Sequence, residues 1–165
     1  MPNDSHLPAP QGPLGRPAAM LLPSALMTVA VPVVIWYLVG DLSSPGFSPA
    51  QLDYVINPLP ISPFVEHGLG ILAMALIVAS GWMLYRNQKN GLVRYPTWII
   101  LGLLVATGLI VGFSWRVLTA GGIGANIGAG LMILFALPVA GLLALAALTY
   151  LTVLLVIQRR QAISG

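Results

Sequence analysis

Cysteine is absent from this 165-residue chain, and charge is scarce. Without cysteine there are no disulfides, no thiolate metal sites and no dithiol redox chemistry. Only 7% of the residues are charged, against 58% hydrophobic; a soluble domain carries about a quarter charged residues. So few charges cannot cover so much apolar surface in water, and lipid is the solvent that suits the surplus. The seven basic residues sit in short separate segments rather than along one stripe. That pattern argues against a nucleic-acid partner.

Chemical signatures are equally sparse. The sequence has no phosphate-cradling Gly-Lys-Ser/Thr motif, no His-Glu-x-x-His and no Gly-x-Ser-x-Gly. The glycine-rich stretch from Gly121 to Gly130 lacks the lysine of a phosphate loop and reads as a tight turn leading to a close helix contact. Of the two histidines, His6 lies in the N-terminal tail, which leaves His67 alone near the membrane. One chain therefore cannot supply two axial histidines to a haem, nor build a His-rich metal centre. No catalytic, cofactor-binding or metal-binding residue is assigned from the sequence, and no cofactor is expected.

What the chain has is four long apolar runs: residues 18–40, 63–85, 96–118 and 127–157. A bilayer core of about 30 Å needs roughly 20 helical residues, and each run suffices. The first is longer than a signal-peptide core of about 7–15 residues, so it reads as a retained span. Ser62-Pro63 and Pro96 are helix-start signals, and Gly121-Gly122 is a stop. The fourth run exceeds what a bilayer requires, so it should tilt, kink at Pro138 or project. The expected fold class is all-α, an antiparallel four-helix membrane bundle with no sheet.

Residues 1–17 read as a disordered, proline-rich tail, 18–158 as the membrane domain and 159–165 as a second tail. Between the first two spans, residues 41–62 form a loop in which Ser48-Pro49 could start a short surface helix. The abundance of Ala, Gly, Leu, Val and Pro resembles the bias of high-GC bacteria.

Basic residues resist translocation and fix orientation. In a four-span chain Arg16, Arg86, Lys89, Arg94, Arg159 and Arg160 fall on one side, and only Arg116 on the other. This predicts a plasma (inner) membrane protein with both termini in the cytoplasm. All four tryptophans fall near expected interfaces, as membrane anchors do.

One polar constellation remains. Asp41, Asp53, Glu66, His67 and Arg116 all fall at the outer side. Glu66 and Arg116 each lie 25 residues from Gly91, the centre of the turn between the second and third spans, so they share a height. Those two spans are expected to be antiparallel neighbours. Gly108, Gly112 and Arg116 share a helix face, as do Glu66, Gly70 and Ala73. Small residues let helices approach closely, so a Glu66–Arg116 contact is expected. It could be structural, the two groups could instead snorkel separately to water, or they could bind ligand or move protons. His67, about 100° round the helix, does not converge with Glu66 on a metal.

Three roles follow. The first is a non-catalytic accessory or assembly subunit of a larger membrane complex, suggested by small-residue faces such as Ala136, Ala140 and Ala144. The second is a small oligomeric transporter or channel with a polar outer vestibule. The third is an interfacial lipid or quinone enzyme with Glu66 or His67 as base. The expected partners are the lipid bilayer and a larger complex or a second copy.

Overall fold

The computed structural model describes residues 17–46, 52–122 and 125–164. Residues 1–16 of the expected tail, Arg16 among them, and the Ser48-Pro49 pair lie outside the described residues, and Pro17 already belongs to the first helix. Among the described residues there are no strands, and four helices are long and apolar enough to cross a membrane. They are α1 (Pro17–Val39), α2 (Pro63–Lys89), α3 (Tyr95–Leu118) and a fourth span. The fourth is built from α4 (Ala125–Leu131), a π-helical turn (Met132–Ala136) and α5 (Leu137–Ser164).

Local sequence sets the ends. Ser62 caps α2 by accepting from the Val65 amide at 3.4 Å, and Pro63 follows where its missing N–H costs nothing. Glu66 falls in the first turn and Lys89 in the last, both favourable to the helix dipole. Gly40 follows α1 at φ +69°, the left-handed conformation that ends a helix at glycine. Inside the fourth span, Pro138 has no N–H for the Leu134 carbonyl, and its ring crowds that oxygen. The turn before it widens, and the Leu137 amide donates to Met132 instead. The expected disruption at Pro138 is this π turn. Where a tail was expected after residue 158, α5 stays helical through Arg159 and Arg160 to Ser164, because no proline or glycine intervenes.

The order in space is α2, α1, α3, α5. This corrects the expectation that α2 and α3 are neighbours: among the described residues they do not pack on each other, and α1 lies between them. Glycine explains the wedge. A Cβ on Gly112 would overlap the Pro32 carbonyl, and one on Gly108 would stand 3.0 Å from Pro32 Cδ and Val31 Cγ1. α3 thus takes Pro32 of α1 against bare backbone, and α1 and α3 run parallel. On the other side of α1, the Tyr37 ring rests on Gly70, where any Cβ would clash. Ala30 and Val34 pack there with Ala73. Between α3 and α5, Ile100 packs with Ala147 and Leu154, and Thr107 donates to the Ala140 carbonyl at 3.4 Å. Lipid tails are as apolar as leucine, so close contact rather than water exclusion holds these faces together.

Candidate functional site

At the end of the bundle opposite the Arg86–Arg94 turn, the C-terminal end of α1 lies between Glu66 on α2 and Arg116 on α3. Arg116 arches over it. Its Nε donates to the Trp36 carbonyl at 2.6 Å, its guanidinium lies 4.3 Å from the Trp36 ring centroid, and Nη2 pairs with Glu66 Oε1. Trp36 is in the last turn of α1, where its carbonyl is within reach of a side-chain donor. A guanidinium suits both this carbonyl and the negative end of the α1 dipole. The Arg116 side chain is 11% exposed and that of Glu66 28%. Burial this deep raises the cost of leaving either charge alone.

The loop between α1 and α2 roofs this cluster because α3's exit is glycine. The Ser44 amide donates to the Gly121 carbonyl at 2.8 Å, and the Gly121 amide to Ser43 Oγ at 3.0 Å. The Ile56 amide donates to the Leu118 carbonyl at 3.1 Å. A side chain on Gly121 would strike Tyr54 and Leu52. The glycine pair therefore admits the loop, a role beyond that of a turn.

Two adjoining spaces lie beneath the loop. A polar cavity of about 170 Å³ is lined by Asp41, Ser43, Tyr54, Glu66, Arg116 and Thr119 among others. An apolar groove of about 320 Å³ runs along Pro32, Val33, Leu69, Val111 and Gly112. Trp36, Leu59, Ile61 and Trp115 line both. Asp41 lies at the cavity mouth and accepts from the Ser43 amide at 2.9 Å. The Ser43 hydrogen bonds, and beyond them the nearby Arg116 charge, hold its carboxyl below the ordinary value. Among the described residues no cation pairs with it.

Of the five residues singled out by sequence, Asp41, Glu66 and Arg116 thus share one cavity. Asp53 and His67 do not line it. Asp53 is exposed, and its carbonyl accepts from the Gly122 amide at 3.3 Å. His67 is exposed, donates Nδ1–H to the Pro63 carbonyl at 2.6 Å, and meets the Tyr37 ring edge-on at 5.7 Å. Trp36 and Trp115 were legible as anchors, but not as walls of a cavity. The signal for Trp36 was its position in the last turn of the first span, near the height of Arg116.

The interior between the two ends offers little further polarity. Thr28, Thr107 and Thr152 donate to the carbonyls of Ser24, Leu103 and Leu148, one turn back on their own helices. Among the described residues no three metal-ligating side chains cluster. Comparison with protein-family models, curated proteins and solved structures finds no match to this chain. Four apolar helices make it a small integral membrane protein.

Proposed function

We propose that this protein is a non-catalytic binder of a membrane amphiphile, held with its chain in the groove and its polar end in the cavity. The observation that carries this reading is the adjacency of the two spaces, which share Trp36, Leu59, Ile61 and Trp115 in their linings. The groove alone reaches the lower end of the range usual for small-molecule sites, about 300–1,000 Å³. The proposed orientation keeps both termini in the cytoplasm of a plasma membrane, on the bias of six basic residues against one. The cavity then opens at the outer leaflet.

Native mass spectrometry of the protein taken from membranes in mild detergent tests the reading. One retained lipid per chain is expected, and its loss in Val111→Trp, which fills the groove. Equal lipid on both proteins, with helical content unchanged, overturns it.

A second reading is an accessory or assembly subunit of a larger membrane complex, or of an assembly with further copies. It draws on the open row of helices, in which, among the described residues, α2 packs its backbone against α1 alone. The small residues of α5 support it less, since Ala140 and Ala147 are buried within the chain. A transporter or channel gains little from threonines whose hydroxyls are taken up by backbone carbonyls. As for an enzyme, Glu66 is committed to Arg116 and the His67 ring lies outside the cavity, which counts against either as general base.

A further inference from the structure

The cavity contains one cation and two carboxylates, and the partition between them is uneven. Arg116 pairs directly with Glu66, while Asp41 faces the same space and, among the described residues, has no cation in direct contact. A ligand carrying only negative charge would enter a site with an unmatched anion already in it. A neutral head would leave that charge unanswered. A cationic group would answer it, and the aromatic rings of Trp115 and Tyr54 on the same walls favour cations as well.

Arg116 supplies the complementary half. Its guanidinium has five N–H donors. Among the described residues Nε–H serves Trp36 and one Nη2–H serves Glu66, which leaves the other three without a protein acceptor. Such a fork matches phosphate oxygens. Ser43 and Thr119 add hydroxyl oxygens on the same lining.

Resting on the reading above, we infer that the amphiphile is a zwitterionic phospholipid with an ammonium head. Its phosphate meets Arg116, its ammonium meets Asp41, and one acyl chain follows the groove between α1, α2 and α3 towards Val111. Asp41 remains ionised for this role across physiological pH, because Ser43 stabilises its charged form.

The test uses the full chain in nanodiscs holding equal amounts of an ethanolamine phospholipid and a glycerol phospholipid of the same acyl chains, with bound lipid counted by native mass spectrometry. The wild type is expected to enrich the ethanolamine lipid, and Asp41→Asn to reduce that enrichment by about fivefold, the scale of one ion pair at a wet interface. Asp41 lies outside the spans, so its replacement leaves the membrane core intact. Bound lipid without ethanolamine enrichment, or an enrichment that Asp41→Asn leaves unchanged, overturns this inference while sparing the amphiphile site. Failure to retain either lipid overturns both.

Discussion

Arg116 holds Trp36 at two points at once: Nε–H on the carbonyl at 2.6 Å and the guanidinium plane over the indole at 4.3 Å. Only a planar group with donors in several directions can do both while also reaching Glu66. Lysine keeps the charge but provides a single point donor. Arg116→Lys should therefore destabilise the protein by about 1–3 kcal/mol, the scale of a charged hydrogen bond lost. Reversible unfolding in mixed micelles measures it, and a neutral result would show that charge alone suffices.

Glycine positions in α3 should respond in opposite ways. Gly112→Ala drives a Cβ into the Pro32 carbonyl and should cost about 1–3 kcal/mol by forcing α1 away. Gly102→Ala has open space and should be neutral or stabilising by up to about 1 kcal/mol, since alanine is the better helix former. Unfolding of the two variants side by side separates a packing requirement from a general intolerance of the helix.

Asp41 should give an acid-side signature. Its folded pKa lies below the ordinary 3.8, chiefly through the Ser43 hydrogen bonds. The stabilisation is then complete above 3.8 and is lost as pH falls through the folded value. The stability difference between wild type and Asp41→Asn should be largest at neutral pH and close below that point. A difference that grows on acidification would reverse the assignment.

Much of this was legible in advance. Run lengths gave the four helices, Ser62-Pro63 fixed the start of α2, and counting from Gly91 put Glu66 level with Arg116. What escaped was which helix lies between them. The turn joining α2 to α3 fixes their heights but not their lateral neighbour, and Pro32 against Gly108 and Gly112 decides that. The cavity was hidden for a related reason: its roof residues Tyr54, Leu59 and Ile61 belong to an irregular loop with no periodicity to read.

Orientation can be read with single cysteines, since the chain has none of its own. Asn57→Cys should react with a membrane-impermeant maleimide on intact cells, and Asn90→Cys only after permeabilisation. Labelling of both from outside, or the reverse pattern, contradicts the proposed topology and moves the cavity to the other leaflet.

The most direct measurement is a double-mutant cycle on Glu66→Gln and Arg116→Met, read as unfolding free energy. If Arg116 reaches across the end of α1 to Glu66, the two losses are not additive, with a coupling of about 1–3 kcal/mol. Additive losses would mean the two side chains act apart, and the cavity they enclose would lose its wall.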